Sequence, residues 1–410
     1  MVMRFRFNHG VPPVNVEEWG KIARRKLPGM SLSYLEGGAD DLLTVEENIA
    51  AFKRWRLRAM QLTGVTNPDL SATIAGTRIS IPVACAPTGA AGLSHWSADV
   101  AVARAAEKAG TRLCLSGASS YKIEEVAEAT EQNHWFQLYP FSTPERVAEL
   151  IARAKAAGYT ALFVTVDVPT LGNREGERRW HMQPPWTVTP PRALHLMKHW
   201  RWVRDALWHK RIGGAHFLES DVGLPQPSGV MSGVAEAMKS AANMQRQMMQ
   251  ADLSWDDIKW FRDQWQGPMY IKGILDPDDA AKAVDELGCQ GVVVSNHGGR
   301  QLERCLAPCD ALPAIVDRIG DRAEVYLDGG VRRGTDVITA IALGAKAVFV
   351  GRPYLYGLAA NGEAGVSSIL EIFREEIKRA LILMGCPSIE ALDRSWLIRA
   401  CPSPLGTFTQ

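Results

Sequence analysis

Residues 291–302 read GVVVSNHGGRQL, and the reading of the whole chain turns on that run. Gly291 to Val294 is short, apolar and β-branched, the pattern of a strand buried on both faces in a parallel sheet. The apolar character stops at Ser295. Asn296, His297, Gly298, Gly299, Arg300 and Gln301 follow at once. An imidazole and a guanidinium three residues apart, on a glycine-loosened turn at the mouth of a buried strand, suit chemistry better than packing.

Working outward, similar runs recur at Ile81–Ala86, Arg112–Ser116, Trp135–Tyr139 and Ala161–Val166, then at Met269–Lys272, Glu324–Leu327 and Ala347–Val350. Amphipathic segments lie between them, among them Ala98–Ala109, Pro144–Ala157, Pro277–Leu287 and Gly334–Leu343. Gly110, Gly158, Gly288 and Gly344 stand where helices are expected to stop. Eight β runs alternating with helices predict an α/β fold, a TIM (β/α)8 barrel. A doubly wound sheet is disfavoured, because no GxGxxG follows the first strand. Residues 1–76 read as an N-terminal helical extension packed on the barrel, with Val16–Lys26 its clearest helix. The barrel is expected over 77–390 and a C-terminal tail over 391–410. A long insertion, about 168–252, interrupts it after the fourth strand.

With 410 residues, 46% hydrophobic and 22% charged, the composition is that of an ordinary globular chain. A net charge of +1 gives no reason to expect nucleic acid as a partner. Seven cysteines without a CxxC pair read as reduced structural thiols in a cytoplasmic protein, and no metal site is expected. The first ten residues carry no apolar run fit for a signal peptide, and no stretch reaches the ~20 apolar residues of a membrane span.

Catalytic groups of such barrels sit at the C-terminal ends of the strands. That rule selects Pro87, Thr88 and Gly89 after the first strand, Ser116 after the second, and Gln137 and Tyr139 at the third. Thr165, Asp167 and Arg174 follow the fourth, Lys272 the fifth, and Ser295, His297 and Arg300 the sixth. Asp328, Gly329, Gly330 and Arg332 end the seventh, with Gly351 and Arg352 at the eighth. The last two turns read as a phosphate site: glycines that free backbone N–H groups, two arginines, and a helix starting near Gly334. Arg174 and Arg300, with the hydroxyls of Tyr34 and Tyr139, suit a carboxylate. Asp167 suits the stabilisation of an imidazolium at His297. The constellation reads as proton abstraction from a small acid beside a phosphate-bearing cofactor. A barrel acting directly on a phosphorylated substrate, such as an isomerase or an aldolase using Lys272, stays open on these residues alone.

SNHGGRQL at Ser295–Leu302, LDGGVRRGTD at Leu327–Asp336, GRP at Gly351–Pro353, FQLY at Phe136–Tyr139 and TVDVPTLGNRE at Thr165–Glu175 resemble the FMN-dependent α-hydroxy-acid dehydrogenase/oxidase family. The resemblance implies an FMN enzyme that oxidises an L-2-hydroxy acid to the 2-oxo acid, with a homotetramer as the expected assembly. His297 would be the base, oriented by Asp167. Arg174, Arg300, Tyr34 and Tyr139 would hold the substrate. Thr88, Gly89, Ser116, Gln137 and Thr165 would surround the isoalloxazine, with Lys272 at its pyrimidine edge, Pro87 and Ser295 would also bind the cofactor, and Asp328, Gly330, Arg332, Gly351 and Arg352 would hold the ribityl and phosphate groups. Departures from the family pattern are Glu303, where aspartate is usual, and Leu35 and Ala118, where glycolate oxidases carry tyrosine and tryptophan. The smaller or apolar walls imply a substrate larger than glycolate, lactate-, mandelate- or longer-chain-like. Gly89, where oxidases tend to have alanine, favours quinone or a redox protein over dioxygen as acceptor; an oxidase releasing hydrogen peroxide is the alternative.

Leu194–Trp208, LHLMKHWRWVRDALW, is expected to form one basic amphipathic helix, with Leu196, Trp200, Val203 and Leu207 on one face. Such a helix over 194–211 suits a membrane surface, which would make the protein peripheral on the inner face of a membrane. It equally suits packing over the barrel or a neighbouring subunit.

Overall fold

The computed structural model describes residues 12–140, 143–180, 189–217 and 252–400. Eight parallel strands form the barrel: Val83–Cys85, Cys114–Ser116, Trp135–Leu138, Leu162–Thr165, Met269–Ile274, Gly291–Val294, Glu324–Asp328 and Ala347–Val350. Strands adjacent in sequence are adjacent in space, and the eighth pairs with the first, Val350 opposite Cys85. A parallel bridge between Cys85 and Leu113 closes the ring. The strand at Gly291–Val294 is buried along its whole length, as its unbroken apolar run requires.

Alternation along the strands divides the core in two. Inward side chains, including Trp135, Phe163, Tyr270, Tyr326 and Phe349, fill the barrel, and Phe163 stacks on Tyr270 at 4.8 Å. Outward ones, such as Val292, Val294 and Leu327, meet the surrounding helices. Each fully buried aromatic contributes roughly 1.5–3 kcal/mol through removal from water.

The N-terminal segment is less helical than its sequence suggests. Val16–Lys26 is a helix, capped by the Asn15 side chain accepting from the Glu18 N–H. A hairpin, Ala72–Ile74 with Thr77–Ile79, then plugs the bottom of the barrel, where Ile74 and Ile79 join the interior cluster. Ala75 N–H donates to the Tyr326 hydroxyl at 2.8 Å, pinning that plug. The closed bottom leaves the C-terminal rim as the open end. Trp55–Leu57 pairs antiparallel with Leu397–Arg399, so the chain beyond the barrel returns to the N-terminal segment. Residues 401–410 of the expected tail lie outside the described residues.

The single helix expected over Leu194–Trp208 is two helices, Pro190–Lys198 and Trp200–His209. His199, with φ −108° and ψ 37°, breaks the helical path between them, so the anticipated continuous apolar face does not form. The Trp202 indole donates to the Leu93 carbonyl at 2.9 Å and packs on the core. Leu194, Met197, Trp200 and Trp208 are exposed. The chain then crosses the barrel mouth at Arg211–Ala215. A Cβ on Gly92 would fall 1.5 Å from the Arg211 carbonyl oxygen, so only glycine fits beneath this crossing. Most of the remaining insertion, including Pro184 and Pro185, lies outside the described residues.

Candidate active site

One cavity opens at the rim. Tyr34, Pro87, Thr88, Gly89, Tyr139 and Thr165 line it, as do Arg174, Lys272, His297, Arg300, Asp328, Gly330, Arg332, Gly351 and Arg352. The structure therefore brings most of the residues singled out by the strand-end rule to one place. Ser116, Gln137, Asp167 and Ser295 stand one layer behind the wall and are not part of the lining.

His297 is held from three directions. Its backbone is left-handed, φ 57°, followed by Gly298 and Gly299 at φ 66° and 76°. A non-glycine residue in this region costs of order 1–3 kcal/mol and persists only where its surroundings enforce it. Here the Ser295 hydroxyl accepts from the His297 N–H at 3.0 Å. The turn behind is closed by a reciprocal amide pair: Asn48 and Asn296 exchange bonds of 2.8 and 2.7 Å, and Gly299 N–H donates to Asn296 Oδ1 at 3.0 Å.

The His297 Nδ1 lies 2.8 Å from Asp167 Oδ1. Burial pushes the Asp167 carboxyl up, but His297 and Lys272 outweigh it and leave it below its ordinary value. An ionised carboxylate only accepts, so Nδ1 carries the hydrogen and Nε2 keeps its lone pair. Burial lowers the His297 pKa, with Asp167 opposing only in part, so the ring is neutral near neutral pH. Gly273 makes the approach of Asp167 possible. It sits at a register shift between the fifth and sixth strands with φ 106°, and a Cβ there would lie 2.6 Å from the Asp167 side chain.

Lys272 is no solvated rim charge. It is 5% exposed, pairs with Asp328 Oδ2 at 2.9 Å and donates to Ser295 Oγ at 3.0 Å. Burial disfavours its charge, yet Asp328 and Asp167 raise its pKa overall and keep it protonated. Burial likewise raises the pKa of Tyr34 and Tyr139, so both phenols stay protonated. The Tyr34 hydroxyl donates to the Gly89 carbonyl at 3.0 Å.

Glu177, which the strand-end rule passed over, organises the two arginines. Arg300 donates to Glu177 Oε1 at 2.7 Å and to the Tyr34 carbonyl at 2.6 Å. Its guanidinium lies 4.9 Å from the Tyr34 ring centre. Arg174 stands 3.8 Å from the same Glu177 oxygen and donates to Gln301 Oε1 at 2.7 Å. The available signal was the i,i+3 spacing of Arg174 and Glu177 at the start of the short helix Glu175–Arg179. Two guanidinia share one carboxylate here, which leaves local positive charge for an anion to meet.

The opposite end is built from Arg332 and Arg352. Arg352 donates to the carbonyls of Leu35, Gly298 and Gly37 at 3.1, 2.8 and 2.7 Å. Neither arginine forms an ion pair among the described residues. Burial, then repulsion from Arg300 and Arg332, pushes the Arg352 pKa down to about 9, and burial lowers Arg332 as well. The helix at Gly334 does not supply the N–H donors expected of it. Asp336 Oδ2 already accepts from the N–H groups of Arg332 and Arg333, and Glu376 Oε2 accepts from Gly334. The guanidinia, and the helix that opens at Arg352, provide the positive potential instead.

These features fit an FMN. The phosphate would lie against Arg332 and Arg352, which are half-buried and form no ion pair among the described residues. Asp328 Oδ1, buried and without a hydrogen-bond partner, suits a ribityl hydroxyl, and Lys272 suits the electron-rich edge of the flavin. Gln137 Nε2 is likewise buried without a partner, while its Oε1 accepts from Ser116 Oγ at 3.1 Å. Among the family departures, Leu35 and Ala118 line the cavity, whereas Glu303 Oε1 accepts from the Thr44 N–H at 3.1 Å, away from it. Among the described residues no cluster of three or more potential ligands could hold a metal ion.

Comparison with known proteins agrees. The chain is 39% identical over 389 residues to L-lactate oxidase of Nostoc sp., covering 94% of this chain and 98% of that one. It is 37% identical over 383 residues to (S)-mandelate dehydrogenase of Pseudomonas putida, covering 93% of each. A crystal structure of (S)-mandelate dehydrogenase, described as a monotopic membrane protein, superposes with a TM-score of 0.87 over 95% of this chain and all of that one, at 37% identity. The family described as FMN-dependent dehydrogenase matches residues 23–399. The chain belongs to that family, and it is an FMN-dependent oxidoreductase acting on a CH–OH group.

Proposed function

We propose that the enzyme oxidises an L-2-hydroxy acid with a bulky apolar side chain, mandelate- or longer-chain-like, and passes the electrons to quinone or another acceptor that is not dioxygen. The oxidation of 2-hydroxy acids itself is the chemistry of the family's members. The observation that carries the finer reading is the mixed wall of the cavity that His297 enters: beside the guanidinia of Arg174 and Arg300 it is lined by the apolar Met30, Leu35, Leu93, Ala118, Leu171 and Ile212.

Arg174 and Arg300 bind the substrate carboxylate, the protonated Tyr139 donates to it or to the hydroxyl, and Tyr34 does so on turning its hydroxyl from the Gly89 carbonyl to the substrate. His297 Nε2 takes the proton released as the alcohol carbon becomes a carbonyl, and Asp167 stabilises the imidazolium that results. FMN supplies the two-electron acceptor chemistry. Lys272 holds positive charge beside the site throughout, and the apolar wall excludes water from it.

Gly89 bears on the acceptor. A Cβ there would fall 3.0 Å from Ala118 Cβ and 3.3 Å from Tyr34 Oη, so an alanine would crowd both. The relatives divide on this point, one named an oxidase and one a dehydrogenase. Anaerobic mixing of the yellow protein with glycolate, lactate, mandelate and 2-hydroxyoctanoate tests the substrate class. Bleaching is expected to be fastest with the bulky acids; fastest bleaching with glycolate would overturn that choice. Hydrogen peroxide formed at the full turnover rate in air would overturn the acceptor.

We further propose that the protein is cytoplasmic, peripheral on the inner face of the membrane, and homotetrameric. The exposed Leu194, Met197, Trp200 and Trp208 support the membrane contact, and no helix among the described residues is long and apolar enough to span. Flotation with anionic liposomes, with and without residues 194–211, checks the first point, and light scattering checks the assembly.

A further inference from the structure

A second cavity, of about 590 Å³, lies between the insertion helices and the barrel. Its walls come from four parts of the chain: the end of helix Val16–Lys26, Gly92–Trp96, the two insertion helices, and the break at Asn361 and Gly362 in the last helix. Its chemistry differs from that of the substrate cavity. Six cations line it, Arg25, Lys26, Lys198, Arg201, Arg204 and Arg211, and Asp205 is the one carboxylate among its lining residues.

Three of these cations are already engaged. Arg204 pairs with Asp205 at 2.6 Å, Arg211 grips Glu125 through bonds of 2.7 and 3.0 Å, and Lys26 donates to the Ala360 carbonyl. The other three are not held by a carboxylate or a carbonyl among the described residues. Arg25 and Lys198 have no carboxylate partner among the described residues, and Arg201 lies over the Trp200 ring at 5.5 Å. Among the described residues, three cations without a carboxylate partner therefore line one concavity, which suits a multiply bonded anion.

The rim points to the source of that anion. Trp96 and Trp200 line the cavity and are also exposed, 36% and 56%. Met197 and Leu194 extend the apolar surface along the first insertion helix, 70% and 58% exposed. A basic pocket edged by tryptophan and aliphatic side chains matches a phosphate headgroup whose acyl chains lie in the interface. A free phosphate compound would use the pocket and leave that rim wet.

We infer that this cavity binds the phosphate headgroup of an anionic phospholipid, with Arg25, Lys198 and Arg201 as its anchors. The inference rests on the peripheral membrane reading above and gives it an address.

The test is co-sedimentation of the holoenzyme with phosphatidylcholine vesicles containing roughly one third phosphatidylglycerol, with turnover measured using a soluble dye acceptor. Lys198→Glu/Arg201→Glu is expected to weaken vesicle binding at least ~10-fold and to leave dye-coupled turnover unchanged. Arg192→Glu/Lys210→Glu makes the same charge change on the same segment outside the cavity and is expected to weaken it far less. Equal losses in the two variants would reduce the effect to diffuse attraction and overturn the pocket. Lys198→Gln/Arg201→Gln serves as the milder variant should the charge reversals fail to fold, and wild-type binding in it overturns the pocket too. Wild-type protein that ignores both pure phosphatidylcholine and mixed vesicles would instead sink the membrane reading itself. Retention of inorganic phosphate in equilibrium dialysis without vesicle binding would assign the cavity to a free phosphate compound and overturn the lipid source.

Discussion

The two ends of the rim cavity are both crowded with charge, but they balance it differently. At the His297 end almost every ion has a partner: His297 with Asp167, Lys272 with Asp328, Arg300 with Glu177. At the Arg332 end the two guanidinia donate to carbonyls and form no ion pair among the described residues, and burial, then repulsion from Arg300 and Arg332, pushes the Arg352 pKa down to about 9. The balanced end is preorganised to act on a small ligand. The unbalanced end is completed by binding one, because buried like charges are held at a cost that an anion offsets. The difference distinguishes reacting groups from anchoring groups within a single cavity.

The sharpest way to break this comparison is at the balanced end. His297→Ala is expected to leave a yellow protein whose substrate-driven bleaching falls by at least ~10²-fold. Near-normal stopped-flow bleaching would remove His297 from the chemistry. Next in size is the unbalanced end. Arg352→Met should weaken FMN binding ~10–100-fold, the worth of charge-assisted hydrogen bonds. The melting temperature of the apoprotein should change little, because the loss of a half-buried cation without an ion-pair partner offsets the loss of its bonds to the carbonyls of Leu35, Gly298 and Gly37. A fall in apoprotein stability with FMN affinity intact would show Arg352 to be structural.

Glu177→Gln should behave in the opposite way. It leaves Arg300 and Arg174 facing each other without their shared carboxylate, and stability should drop by about 2 kcal/mol. An unchanged denaturation midpoint would contradict that. The smallest effect concerns pH. His297 must be neutral to accept a proton, and burial depresses its pKa below the ordinary value of 6.5. Activity is therefore retained as pH falls through 6.5 and lost only below it. A kcat/KM profile whose acid limb lies at or above 6.5 would show that the Asp167 charge outweighs burial.

Much of this was readable without coordinates, for identifiable reasons. Each barrel strand is a continuous apolar run ended by polar residues, and this pattern reports both burial and the end of the strand where chemistry sits. Gly291–Val294 followed by Ser295–Arg300 is the clearest case, and the observed strand ends at Val294. The hairpin at Ala72–Ile79 was not readable, because strands of three residues carry too short a period to distinguish from loop. The break at His199 was hidden too, since Leu194–Trp208 has helical spacing on both sides of it.

What the sequence determined by itself was the barrel, the rim on which its polar residues gather, and the family, because these depend on local pattern and residue identity. Tertiary structure decided how the charges are shared. Glu177 is drawn between two arginines, one of them on a different strand mouth. Asp336 and Glu376 close the helix terminus at Gly334 that the sequence offers to phosphate. It also set the positive cavity beneath the insertion, whose cations are up to 186 residues apart in the chain, Arg25 to Arg211. Coulomb energy depends on separation and burial in space, and neither is encoded in the order of residues along a strand.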